Sequence, residues 1–202
     1  VIGRAVHIDS CTLKHIFIKE ECKIANRTNF TFVGKPTFPD ENSSRPFVKK
    51  WKGGTNNDLE MASINFGIKA GNSIGYVELF GMKSETIYTM NMDNERIEIP
   101  WDERLDTEKI NSVANYRKHY ITLEDGLKEF ITPYDVICYL EETLKSVSGQ
   151  VRVTGTMEKE PYVSKDGERR FIDRFVIQNV KEADEAEKPK LSIDMDLFYN
   201  KD

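Results

Sequence analysis

Three short stretches of this sequence bring cations and flat rings within a few residues of one another. They are Lys49-Lys50-Trp51-Lys52-Gly53-Gly54, Tyr116-Arg117-Lys118-His119-Tyr120, and Arg169-Arg170-Phe171 with Arg174 three residues on. A single nucleic-acid strand needs both chemistries. Cations follow its phosphates, and rings receive its unstacked bases at about 1–3 kcal/mol per base. The candidate binding residues are therefore Lys49, Lys50, Trp51, Lys52, Tyr116, Arg117, Lys118, Tyr120, Arg169, Arg170 and Arg174. The competing reading of any one cluster is a solvated charged face with its aromatics turned inward. Three clusters in a chain of 202 residues put binding on an equal footing with that reading.

Other chemistries have weaker signatures. His7, Cys11, His15 and Cys22 have the ligand types of tetrahedral zinc, but not the close paired spacing of a zinc finger. The expectation is no metal. Asp102 and Glu103 follow a Trp, and Asp194 and Asp196 alternate on one strand. Neither pair has a companion motif, and neither a phosphate-binding loop nor a nucleophile elbow is present. The chain reads as a non-enzyme without a cofactor.

Composition sets outer bounds. The chain is 39% hydrophobic and 31% charged, both globular values, with a net charge of −5. An acidic body argues against a surface that grips nucleic acid all over, since phosphates are neutralised by Lys and Arg. It leaves room for a local groove. Cys11, Cys22 and Cys138 are an odd set without framework spacing, which points to a reducing compartment. The glycosylation tripeptides at Asn26, Asn29 and Asn42 have no signal peptide beside them and read as coincidental. No apolar run reaches membrane-spanning length.

The elements that must position these residues are mostly strands. Residues 1–33 alternate in places and predict short strands, ending in Phe30 and Phe32. Residues 34–57 are rich in Pro, Gly, Ser, Asn and Lys and predict a long loop. Residues 58–132 form a β-rich first half. There Ala62, Ile64, Phe66 and Ile68 share a face, Gly71-Asn72 turns, and Tyr76 to Phe80 returns. Ile87 to Met92 and Arg96 to Ile99 flank a hairpin at Asp93-Asn94, and Tyr116 to Ile121 is one more strand.

A helix is expected over about 133–147, within a connecting segment 133–148. Thr132 is its N-cap, Pro133 stands at the first position, Asp135 completes an acidic capping box, and Gly149 ends it. Val136, Ile137, Leu140, Leu144 and Val147 give it a core-facing stripe. Residues 149–202 form a second β-rich half. Gln150 to Met157 and Phe171 to Val180 meet across a Ser164–Gly167 turn. Glu182 to Lys190 is a connector or short helix. Leu191 to Phe198 closes the set, with Leu191, Ile193, Met195 and Leu197 inward.

This order, with Asn115 to Tyr120, then Phe130-Ile131-Thr132-Pro133-Tyr134-Asp135 opening a helix, then the hairpin from Gly149 to Val180, resembles the single-stranded DNA-binding proteins of tailed bacteriophages. The resemblance covers roughly residues 60–200. It implies a mainly β fold built on the oligonucleotide-binding barrel, as one composite domain or two barrels side by side, with one prominent helix. It also implies sequence-independent binding of single-stranded DNA in replication or recombination, in the cytoplasm of a bacterial host, without cofactor or membrane. Replication or recombination proteins would be its partners. Such proteins often end in an acidic tail that recruits partners, whereas here the last residues are Asn200-Lys201-Asp202. A protein–protein adaptor in a phage particle or defence complex is the alternative from a different class.

Two finer expectations concern the last cluster. Period-two geometry puts Arg170, Ile172 and Arg174 on one face, and Phe171, Asp173 and Phe175 on the other. Val151, Val153 and Met157 need apolar partners, so Phe171 is expected in the core with Phe175 and Ile177. Arg170 and Arg174 are then expected to meet phosphate, replaceable without loss of stability. Trp51 is the favoured stacking residue.

Overall fold

A computed structural model describes residues 28–40, 43–54 and 58–195. Its centre is a ring of five strands whose apolar residues alternate toward the interior. The first strand of the ring is β1 (Asn29–Thr37). A short strand β2 (Val48–Gly53) precedes β3 (Leu59–Ala70), which turns at Gly71-Asn72 into β4 (Ser73–Met82). Gly71 has φ 61°, a left-handed turn that suits glycine. Ala62, Ile64, Phe66 and Ile68 are fully buried, as are Val77 and Leu79 opposite them. The expected inward face is the observed one.

Between β4 and the main helix lie β5 (Thr86–Met90), β6 (Arg96–Pro100), a short helix α1 (Thr107–Ser112), β7 (His119–Leu123) and β8 (Gly126–Phe130). β5 and β6 pair on their own, and Ile87, Ile99, Trp101, Val113 and Ile131 form a second, smaller core there. Helix α2 runs Pro133–Thr143 and continues as a 3-10 turn through Ser146, close to the expected span. The Thr132 hydroxyl accepts from the Asp135 amide at 3.2 Å, the cap read from the sequence. Val136, Ile137, Leu140 and Leu144 are completely buried. The helix packs close to β4 because Gly81 has no side chain; a Cβ there would lie 2.4 Å from the Tyr134 nitrogen.

Then come β9 (Val151–Val163), β10 (Arg169–Glu182) and β11 (Lys190–Asp194). The ring runs β1–β3–β4–β10–β9 and back to β1. Every pairing in it is antiparallel except β4 with β10, where a single register pair, Val176 with Glu78, closes the ring. β1 changes neighbours along one edge, from β11 to β3. Gly34 stands at that change, where a Cβ would lie 2.1 Å from the Lys69 carbonyl oxygen. β10 carries a bulge between Ile177 and Asn179. The extra residue re-phases the strand, so Ile177 and Val180 are both buried. β10 then pairs in parallel with β7, and β7 pairs antiparallel with β8.

Several expectations are corrected. Residues 34–57 are not one loop: β1 extends through Thr37 and β2 is a strand paired with β3. Lys and Gly gave β2 a loop-like composition, but an edge strand tolerates lysines and is protected by them. β8 and α1 have too few apolar residues to show a period. Tyr116 and Arg117 belong to a 3-10 turn ahead of β7. Of the two readings of Glu182 to Lys190, the structure shows the connector. Of the last apolar series, Leu191 packs on the core, but Ile193 and Met195 are exposed because β11 lies on the outer edge of β1. His7, Cys11, His15, Cys22, Asp196 and Leu197 lie outside the described residues. Strands from both sides of α2 share the ring, since β4 and β10 are neighbours in it.

Candidate nucleic-acid interface

If Val77 and Leu79 face the core, period two turns Ile74, Tyr76, Glu78, Phe80 and Met82 outward. Tyr76 is 65% exposed and Phe80 46%, high values for rings on a long strand. Register places Phe80 across from Ser63, and Ser63 across from Lys49. Trp51, two residues on, therefore reaches the same outer face. Its ring centroid lies 5.9 Å from that of Phe80, tilted by 38°, and the Lys49 Nζ lies 5.5 Å from the indole. A cleft of about 680 Å³ opens over Trp51 and Phe80, with Arg45 and Lys49 on its wall. A second depression shares Arg45 and Asn65 with it and includes Tyr76. A third shares Val176 with the first and holds Tyr88, Tyr116 and Arg117. Rings and cations from β2, β4, β5 and the turn before β7 thus line three depressions that share lining residues.

The expected site residues divide on this surface. Lys49 and Trp51 line the cleft. Lys50 points to the other side of β2 and pairs with Glu141 of α2, whose carboxylate raises its pKa above the ordinary lysine value. Lys52 is exposed on that same alternate side. Tyr116 and Arg117 are exposed and stacked, with the guanidinium 5.3 Å from the ring. Lys118 is 5% exposed and held by Glu129 at 3.0 Å, so it has a structural place rather than a phosphate-facing one. The Tyr120 hydroxyl donates to Asn115 at 3.2 Å.

The third cluster differs most from expectation. Its two strands continue past the core as a projecting hairpin, residues 158–172, exposed along most of its length. Phe171 shares a face with Phe175 and Ile177, as alternation required, yet it is 61% exposed while Ile177 is buried. Phe175 is the last ring to reach the core, where it meets Phe30 and Phe32 at 5.4 and 5.0 Å. Phe171 lies beyond the core and stacks loosely under Arg169, 6.0 Å away. Arg170 is tied to Asp166 at 2.6 Å and Glu168 at 3.3 Å. Arg174 binds Glu78 across the parallel seam at 2.5 Å and also Glu160. The Glu78 hydrogen bond, with Glu160 adding to it, holds its pKa above the ordinary arginine value. Arg174 therefore lies across the closure of the ring, already paired with two carboxylates, where the sequence reading expected it to meet phosphate.

Sequence reasoning missed Tyr76, Phe80, Tyr88 and Arg45. For Tyr76 and Phe80 the signal was present: with Val77 and Leu79 inward, their neighbours had to face out. His119 sits at the base of the third depression with its Nδ1 3.0 Å from the Gln178 carbonyl oxygen, which can only accept, so Nδ1 carries the proton. Burial lowers its pKa below the ordinary histidine value.

Of the residues first weighed for catalysis, Asp102, Glu103 and Asp194 are within the described residues. Asp102 and Glu103 are exposed, and Glu103 is paired with Lys109 at 2.8 Å. Among the described residues, no three His, Cys, Asp or Glu side chains gather as metal ligands. No helix among them is long and apolar enough to cross a membrane. No protein-family model matches the chain, and a search among curated proteins finds no match to it.

Proposed function

We propose that the ring is a barrel of the oligonucleotide-binding kind and that the protein binds single-stranded DNA without catalysis and largely without sequence preference. The observation that carries this reading is the half-buried Trp51 of β2 beside the exposed Phe80 of β4, with the exposed Tyr76 further along the same face of β4. Barrels of that kind have five strands and take their ligand on the second and third, and on the loops joining first to second and fourth to fifth. Counted around this ring, the second and third strands are β3 and β4. The first connection contains β2 with Lys49 and Trp51, and the last is the β9–β10 turn beside Arg169 and Phe171. Service in phage replication or recombination, with proteins of that machinery as partners in a bacterial cytoplasm, rests on the family resemblance alone.

An adaptor that binds another protein is the second reading. It is favoured by the carboxylates of Glu78, Glu158 and Glu160 in the same cleft, which a strand of phosphates would meet unfavourably. Salt-titrated anisotropy with labelled oligo-dT separates the two. Micromolar or tighter binding at low salt is expected. Among the described residues, Arg45, Lys49 and Arg117 line this surface without a carboxylate partner, and three phosphate contacts give a slope of about −2 in log K against log salt. No binding at low salt would leave the adaptor reading in place.

A further inference from the structure

Arg174 is surrounded by more negative charge than it needs. Glu78 holds it across the β4–β10 seam, Glu160 holds it from the hairpin, and Glu158 stands directly opposite it in the β9–β10 ladder. One guanidinium thus faces three carboxylates, all lining the cleft beside Trp51 and Phe80. The two ion-paired partners are unlike each other. The Glu78 side chain is 22% exposed and fastens the ring at its one parallel register pair, whereas that of Glu160 is 52% exposed and stands on the projecting hairpin. A guanidinium fork accepts carboxylate and phosphate oxygens in the same geometry.

Building on the single-strand reading, we propose that Glu160 is an internal stand-in for phosphate: it occupies the outer side of Arg174 in the free protein and yields that place to a backbone phosphate of the bound strand. Glu78 stays in place, because releasing it would open the seam. Arg174 is thereby a held-back contact, and Glu160 sets the affinity and the salt dependence of the groove. The exchange trades one charge-assisted pair for another, so it costs little when a strand is present. It also removes a cation that loose polyanions would otherwise find.

Oligo-dT anisotropy over a salt series tests this with wild type, Glu160→Gln, Glu158→Gln and the double variant Glu160→Gln with Arg174→Gln. Glu160→Gln is expected to bind about two- to fivefold tighter, the range of an exposed ion pair. Its salt slope should keep the phosphate contact at Arg174. The gain should vanish in the double variant and be absent or smaller in Glu158→Gln. General relief of repulsion predicts instead equal gains from both glutamate changes, retained without Arg174, and that result would overturn the proposal. So would wild-type affinity in Glu160→Gln. Should the double variant fail to fold, the Arg174 Nε–Hε resonance of the wild type decides. It must shift on adding oligo-dT, and an unmoved resonance in a saturated complex refutes the exchange. Absence of binding by both wild type and Glu160→Gln sinks the single-strand reading and this inference together. Binding with no difference between them sinks only this inference.

Discussion

As sequence, Val48–Gly53 and Tyr116–Tyr120 look alike, each a run of cations and rings; in the fold they do different work. β2 is an edge strand paired only with β3, so its residues alternate between two open sides. Lys49 and Trp51 reach the cleft, while Lys50 reaches Glu141 on α2. The other run crosses from a 3-10 turn into β7. Tyr116 and Arg117 remain outside, Lys118 is buried against Glu129, and Tyr120 is turned toward Asn115. A basic run makes a phosphate-binding surface only where the backbone lets its charges share a face. In β2 the other face carries Lys50, paired with Glu141, and the exposed Lys52, whereas in the second run Lys118 is spent on holding the fold.

The largest expected effect separates the two runs by binding. Trp51→Ala and Phe80→Ala should each cost about 1–3 kcal/mol of single-strand affinity by losing one stacked base, with the melting temperature nearly unchanged. Oligonucleotide quenching of tryptophan fluorescence, after Trp101 is replaced, checks the first of these directly. Unchanged affinity in both variants would move the interface off β3 and β4.

Lys118→Ala should show the opposite pattern. Loss of a buried, hydrogen-bonded cation is expected to lower stability by about 1–3 kcal/mol in urea denaturation while oligo-dT affinity holds. Weakened binding at full stability would return Lys118 to the binding surface and erase the contrast. Lys50→Ala is the finer probe within β2 itself. An exposed pair with Glu141 predicts a stability change of at most about 1 kcal/mol, and an affinity closer to wild type than that of Lys49→Ala.

The smallest effect is on pH. Burial lowers the pKa of His119, so the unfolded chain binds its proton more readily than the folded one. Its contribution to stability is complete above the ordinary histidine value of about 6.5 and is lost as pH falls from there through the lowered folded value. Denaturation midpoints across that interval should decline less in His119→Gln than in wild type. Parallel curves would mean that the imidazole stays reachable by solvent.

Helix α2 and the β3–β4 hairpin were legible because their signals are local. Thr132, Pro133 and Asp135 start the helix within one turn, and Ala62 to Ile68 alternate without a break. Phe171 shows where such reasoning stops. Alternation assigned it to the right face, but how far the core extends along that face depends on Phe30 and Phe32 of a distant strand. Arg174 is a second case, since its partner Glu78 lies 96 residues away in the chain.

By itself, the sequence determined a mainly β chain with one capped helix, the faces of its long strands, and the presence of cations beside rings. Those properties follow from spacing along the backbone, where period two and period 3.6 act over a few residues. Tertiary structure alone decided that β4 and β10 meet in parallel to close the ring. It also decided which cations are already held by carboxylates, and that Phe80 stands beside Trp51 rather than against another layer. Each of these depends on contacts between residues far apart in the chain, and no local period encodes them.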